Sequence, residues 1–268
     1  MTLGGLDIGT TGCKCTVMKA GGTAQFSCYR EYAVSRKTGA HEADAAVIWE
    51  TVKEVIRGAH EKSGEMIDAL TVTSFGESVV LLDEAGEPVA PVMLYTDPRG
   101  QEQSRRLCET IGDRKIYELS GHRPNAMYAL PKLMYLRDTD PALFSRIRLI
   151  LPIHSYLVYR LCGEAVSDYS LASRTMLFNI RTLDWCDELL AAGGIGRGQL
   201  PRVAPTGAVA GTVRPALANE LGLSGSAKLV IGCQDQIAAV IGAGAMSAGL
   251  AVNGTGTVDC ITPVFDGI

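Results

Sequence analysis

Three short segments of the chain carry residue types suited to phosphoryl transfer. The first is Leu6-Asp7-Ile8-Gly9-Thr10-Thr11-Gly12. Glycines let backbone N–H groups approach phosphate oxygens closely, and threonine hydroxyls add donors. An aspartate just ahead of such a turn can hold Mg²⁺, usually through water. The second is Gly232-Cys233-Gln234-Asp235-Gln236, where a strand ends in glycine and an acid follows at a helix start. That places a carboxylate at the edge of a crevice. Moving a phosphoryl group onto a hydroxyl needs a base within hydrogen-bond reach of that hydroxyl. The third is Asn253-Gly254-Thr255-Gly256-Thr257, another Gly-Thr turn between apolar runs.

Each segment also has a plain structural use. A Gly-Thr turn serves an ordinary hairpin as readily as a phosphate. Aspartate is among the commonest helix N-caps, so Asp235 could be one. Neither a P-loop nor a dinucleotide fingerprint is present, because no helix follows Gly12 directly and no lysine stands at the required place. Lys14 reads as a strand-edge charge. The histidines His41, His60, His122 and His154 are scattered, and the eight cysteines include no C-x-x-C pair. Zinc spacing is therefore missing, and reduced cysteines are expected.

The elements that must position these groups follow from periodicity. Residues 3–8 and 13–18 read as strands about the first turn, and residues 26–34 as a third after Gly21-Gly22. The chain thus opens with an antiparallel meander. Val47, Ile48, Val52, Val55 and Ile56 recur at helical spacing over residues 45–60, with Asp44 as N-cap. Residues 69–72, 79–82 and 228–231 read as strands, and residues 99–160 as mainly helical, broken at Gly121, Pro124, Pro131 and Pro141. A hairpin is expected around Gly254-Thr255-Gly256, echoing the first one.

The chain has 268 residues, 47% hydrophobic and 20% charged, with a net charge of −4. That balance suits a globular domain and disfavours nucleic acid or an anionic membrane surface as partner. The longest apolar stretches, such as residues 237–246, are too short and too rich in Gly and Ala to span a bilayer. A cytoplasmic protein acting on small molecules is the expectation.

In this order the three segments resemble the FGGY carbohydrate kinases, the family of xylulokinase-like, ribulokinase-like and glycerol kinase-like enzymes. Intermediate segments agree: Val80-Leu81-Leu82-Asp83 with Gly86-Glu87-Pro88, Leu94-Tyr95-Thr96-Asp97-Pro98-Arg99, Lys132-Leu133-Met134-Tyr135-Leu136, Ser167-Asp168-Tyr169-Ser170-Leu171-Ala172-Ser173, and the stretch from Arg181 to Trp185. The resemblance covers nearly the whole chain. It implies an α/β ribonuclease H-like (actin-like ATPase) domain: a mixed sheet, helices on both faces, and a mainly helical insertion around residues 99–185 shaping a sugar pocket. Residues 1–262 would form the N-terminal substrate-binding domain, and residues 263–268 the start of a linker to an absent C-terminal nucleotide-binding domain.

The resemblance also implies an activity, ATP-dependent phosphorylation of a sugar or polyol hydroxyl, with a ketopentose such as xylulose favoured. ATP and Mg²⁺ would be the cofactors. Asp235 would be the general base, and Asp7 with Asp235 would hold the metal. Gly9, Thr10 and Thr11 would meet the phosphates from one side, and Gly254, Thr255 and Gly256 from the other. Gly76, Glu77, Tyr95, Asp97, Tyr128 and Gln236 would form the acceptor pocket, with Asp97 either touching hydroxyls or pairing with Arg99 to hold the wall. Two departures leave the acceptor open. Tyr95 stands where the family usually has Trp. Gly76-Glu77 stands where xylulokinase-like members have Met-His and glycerol kinase-like members have Arg-Glu. The isolated chain is expected to turn over negligibly, and a homodimer would fit the family. The rival readings are a non-catalytic sugar-binding sensor derived from a kinase and a phosphohydrolase of the same superfamily.

Overall fold

A computed structural model describes residues 1–22, 24–255 and 259–267. Six strands make the main sheet: β1 (Thr2–Ile8), β2 (Gly12–Lys19), β3 (Ala24–Glu31), β4 (Ile67–Ser74), β5 (Val209–Thr212) and β6 (Leu223–Gln234). Their spatial order is β5-β6-β4-β1-β2-β3. The three central strands β6, β4 and β1 run parallel, and both flanks are antiparallel. The sheet is mixed, as the opening meander implies.

Alternation decides which face is core. Leu6 and Ile8 of β1, and Leu70 and Val72 of β4, are buried on one face, while Asp7, Thr71 and Thr73 point to the other. Helix α1 (Ala45–Ser63) covers the apolar face with Ile48, Val52, Val55 and Ile56. Its start is fixed by Asp44, whose side chain accepts from the Ala46 N–H at 2.8 Å, and its end by Gly64 at φ 67°. Helices α2 (Ile153–Cys162) and α3 (Pro215–Leu221) join the same core through Tyr156, Leu157, Leu161 and Leu221. Helix α4 (Asp235–Gly242) stands over the opposite face, where Ala238 and Ile241 line one groove with Thr71, Thr73 and Val230.

The third strand is shorter than its apolar run suggests. It stops at Glu31, because Tyr32 turns back onto the β1–β2 hairpin. The Tyr32 N–H donates to the Thr11 carbonyl at 3.1 Å, and its hydroxyl donates to the Gly9 carbonyl. A separate strand, Val34–Lys37, pairs with Ala40–Ala43.

The expected helical insertion is real but interrupted. Helices Gln101–Thr110, Asp113–Ser120 and Ala129–Thr139 enclose a second core containing Leu107, Ile116, Leu130, Leu133, Phe178 and Trp185. Pro131 does not break its helix, since it lies in the first turn, where a missing N–H costs nothing. The strand Leu149–Pro152, hidden inside the expected helical stretch, pairs with Val79–Leu82. Both are uninterrupted apolar runs, which marks strands buried on both sides. Val80, Leu82 and Leu151 face the main core, while Leu81 and Ile150 face the second. The chain then crosses to the main core as α2 and returns to the second core from Ala172 onward.

One close approach shapes the end of β6. Its register against β4 shifts between Ile231 and Gln234, and a Cβ on Gly232 would stand 1.8 Å from the Val72 carbonyl oxygen. Only glycine fits there. Gly232→Ala should therefore cost ~3 kcal/mol or more of stability, read as a lowered urea midpoint.

Candidate active site

The parallel strands deliver three chain segments to one edge. Ile8 pairs with Ser74, and Ser74 with Gln234, so β1, β4 and β6 end side by side. The Phe75 N–H donates to the Ile8 carbonyl at 2.9 Å, carrying the alignment one residue past the sheet. Gly9, Gly76-Glu77 and Asp235 therefore emerge together at the carboxyl edge, where open α/β sheets form ligand crevices.

Asp235 is the first residue of α4 but not its cap. Gln234 caps the helix, its side-chain oxygen accepting from the N–H groups of Gln236 (3.1 Å) and Ile237 (3.3 Å). Asp235 Oδ1 accepts from the Gln236 N–H at 2.7 Å and from Gln234 Nε2 at 2.6 Å. Burial pushes the carboxyl up to about 6, with the Gln236 N–H and Arg174 opposing the rise and Asp7 and Glu77 reinforcing it. A buried brace holds this corner. The Gln234 N–H donates to Ser170 Oγ at 2.9 Å, and Ser170 Oγ donates to Asp168 Oδ2 at 2.5 Å. Asp168 is wholly buried and caps the short helix Tyr169–Ser173. In the sequence Asp168 and Ser170 stand only within the 167–173 segment of the family resemblance, with no role attached.

On the phosphate side, Asp7 shares with Asp235, Gly9, Lys14, Thr73 and Gln236 the lining of a groove of about 880 Å³. Burial raises the Asp7 carboxyl, and Lys14, its cross-strand partner, opposes the rise. Lys14 thus belongs to the groove wall rather than to a bare strand edge. The turn is closed by the Gly9 N–H donating to the Gly12 carbonyl at 2.9 Å, with Thr10 half-exposed and Thr11 exposed at its tip. The second Gly-Thr hairpin pairs Ala251–Thr255 with Asp259–Pro263. A Cβ on Gly254 would meet Gln236 Oε1 at 2.9 Å, so this hairpin leans on the residue next to Asp235. Thr255 is exposed, and Gly256 lies outside the described residues. Among the described residues no three His, Cys, Asp or Glu side chains cluster as a metal cage. Two carboxylates facing one groove suit Mg²⁺, which keeps several waters and takes phosphate oxygens as its other ligands.

The other side of this edge begins at Gly76, buried against the Arg174 side chain. Glu77 follows at φ 66°, a left-handed conformation that costs energy in a non-glycine residue and is typical of functional sites. Its buried carboxylate forms an ion pair with the Arg174 guanidinium. Burial raises the Glu77 carboxyl, and Arg174 counteracts it. The guanidinium lies over the Tyr128 ring, 5.6 Å from its centroid, and the Tyr128 hydroxyl meets His122 Nδ1 at 3.3 Å. Burial, helped by Arg174, pushes His122 down to about 4, so it is neutral.

Tyr95 is half-buried beside Leu94, whose carbonyl accepts from the buried Lys132 Nζ at 2.6 Å. Asp97 braces the wall. Its side chain is 0% exposed, and its oxygens accept from the His41 N–H (2.8 Å) and from Arg99 Nε (2.9 Å) and Nη2 (2.6 Å). Burial works against its charge, yet Arg99 and the flanking N–H groups hold its carboxyl below the ordinary value. Of the two uses read from the sequence, the geometry displays the pairing one. Arg99 also donates to Glu42 at 2.6 Å. Sequence reasoning passed over Arg174, Lys132 and His122, because nothing in their local spacing shows which surface they face.

Comparison with known proteins places this geometry. Residues 2–242 match the model of the N-terminal domain of the FGGY family of carbohydrate kinases. The glycerol kinase of Thermococcus onnurineus is 33% identical over 271 residues, covering 94% of this chain and 52% of that protein. The xylulose kinase of Streptomyces coelicolor is 32% identical over 255 residues, with 94% and 52% covered. The crystal structure of gluconate kinase from Lactobacillus acidophilus superposes with a TM-score of 0.93 at 26% identity, covering 97% of this chain and 53% of that one. The chain spans about half the length of the curated relatives it matches. The fold is that of these sugar kinases, the actin-like, ribonuclease H-like α/β domain. No helix among the described residues is long and apolar enough to cross a membrane.

The raised Asp235 carboxyl has a consequence for stability. With a folded value of about 6 against an ordinary 3.8, the native state holds a proton that the unfolded chain has lost between those values. Its contribution is therefore present at low pH and lost as pH rises through about 6. Asp235→Asn should stabilise the protein by about 1–2 kcal/mol at neutral pH, allowing for partial exposure, and by nothing in acid below the carboxylate range. Unfolding curves at the two pH values check this.

Proposed function

The chain belongs to the FGGY family of carbohydrate kinases, and we propose that it supplies the acceptor-binding, base-bearing half of an ATP-dependent sugar or polyol kinase. The observation that carries the reading is the meeting of Asp7-Gly9, Glu77 and Asp235 at the ends of three neighbouring parallel strands. A base stands there between a phosphate-type turn and a polar pocket.

In this reading the acceptor lies against Tyr95 and Tyr128, with Glu77 accepting from its hydroxyls. Asp235 takes the proton of the hydroxyl that attacks. The oxygen–phosphorus bond to the acceptor forms as the bond from the γ-phosphoryl to its leaving oxygen breaks, with ADP departing. The backbone of Gly9 and Thr10, and the Gly254-Thr255 strand, face the transferring phosphates. Asp7 with Asp235 would hold Mg²⁺, which when bound neutralises charge on the phosphate oxygens. Asp235 titrates near 6, so it is ionised at neutral pH and a competent base. The adenosine grip belongs to the half of the relatives' length that this chain does not span. Relatives named for glycerol, xylulose and gluconate frame the acceptor class. A ketopentose or a small polyol remains the reading.

The test is acceptor-dependent ADP release, measured across ketoses, polyols and aldonates with the protein as it occurs naturally. One acceptor should support turnover, Asp235→Ala should lower kcat by ~10³-fold, and the rate should fall as pH drops below about 6. The isolated chain should bind the same acceptor in calorimetry without turnover. ADP release that ignores the acceptor, or survives Asp235→Ala, would overturn the reading in favour of a phosphohydrolase.

A further inference from the structure

We infer that Arg174 is a specificity-determining residue of the acceptor pocket, a cation whose charge Glu77 holds in balance so that the pocket takes uncharged polyhydroxy acceptors and refuses aldonates. The inference rests on the kinase reading above and names a residue and a substrate class within it.

Arg174 packs directly across residue 76 because that residue is glycine. A Cβ on Gly76 would lie 3.1 Å from both Cβ and Cγ of Arg174 and 3.4 Å from its Nε. The arginine stem runs across that bare backbone, ends on the Tyr128 ring, and pairs with Glu77. Its side chain is 30% exposed against 6% for Glu77, so the guanidinium is the more open partner of the pair. The surrounding bonds are incompletely made. Among the described residues, Arg174 Nε, Ser78 Oγ, His122 Nε2 and the acceptor Glu77 Oε1 of this pocket are buried without a hydrogen-bond partner. Buried donors of this kind are costly unless something supplies acceptors, which hydroxyl oxygens do.

The charge inventory sets the class. Asp7, Glu77 and Arg174 are the charges that act on Asp235, and Arg174 and Lys132 those that act on Glu77. Lys132 Nζ is committed to the carbonyls of Leu94 (2.6 Å) and Met127 (2.8 Å). His122 is neutral. Among the described residues beside Glu77, no uncommitted cation is left to receive a carboxylate. An arginine beside a planar acid would otherwise be an effective carboxylate fork. Glu77 occupies that fork.

The experiment is calorimetric binding of glycerol, xylulose and gluconate to the 268-residue chain and three variants, folding being checked by circular dichroism. In the wild type a neutral probe should bind and gluconate should bind at least ~10-fold more weakly. Glu77→Gln keeps the shape and frees Arg174, so the gluconate-to-neutral affinity ratio should rise ~10-fold or more. Glu77→Gln with Arg174→Met should abolish that rise, and Glu77→Gln with Arg174→Lys should retain part of it. If Glu77→Gln does not fold, Gly76→Ala carries the test, because it displaces the arginine stem while keeping both charges and should shift the same ratio. A ratio that stays at the wild-type value while all affinities fall together would make Arg174 a structural clasp and overturn the inference. The kinase reading fails separately, when the wild type binds none of the three probes and no acceptor stimulates ADP release. The inference then falls with it.

Discussion

The hydrogen-bonded register across Ile8, Ser74 and Gln234 is the constraint on which the rest of the site depends. A parallel ladder has one slip-free alignment when a single face is buried, because a shift of one residue would turn Leu6, Leu70 and Val72 out of the core. That alignment decides that the Gly-Thr turn, the Gly76-Glu77 corner and the Asp235 corner come out at the same height. The close passage of Gly232 over the Val72 carbonyl marks a local irregularity at Gly232-Cys233, after which Gln234 comes back opposite Ser74 at the helix start.

Around this edge the protein places charges it could not bury alone. Asp97 is matched by Arg99 and two backbone N–H groups, and Arg99 by Glu42. Asp168 is satisfied by Ser170 and its own helix start, and through Ser170 it fixes the backbone of Gln234. These pairs are complete and rigid. Glu77, Arg174 and Asp235 are different: a strained backbone, atoms left without partners, and a carboxyl shifted upward mark them as groups kept ready for something else.

Much of this was legible in the sequence, for reasons that differ by residue. Asp7, Gly9 and Asp235 were found because turn chemistry and strand-to-helix transitions leave local signatures, and the FGGY resemblance ordered them. The helix beginning after Asp44 and the opening meander followed from period and caps. The strand Leu149–Pro152 was not legible, since four apolar residues between helices satisfy either period, and only the two cores on its sides decide the matter. The cap at Gln234 was missed because glutamine is a rarer cap than aspartate, and geometry gave the role to the longer side chain. Arg174 and Lys132 were missed because long side chains reach several ångströms from their own backbone, and their targets are distant in sequence.

The two-stranded sheet of Val79–Leu82 and Leu149–Pro152 carries a mechanical meaning. Its alternate residues belong to two different hydrophobic cores, so neither core can melt without exposing half of the same strands. The sheet domain and the helical insertion are thereby joined through shared strands, with Glu77 just before the first of them. Hinge bending between these two parts would tear apolar surface from both sides at once. The wall that carries Glu77 and Tyr95 is therefore tied to the same body as Asp235, and any closing stroke over this edge has to be made by something that approaches the body from outside.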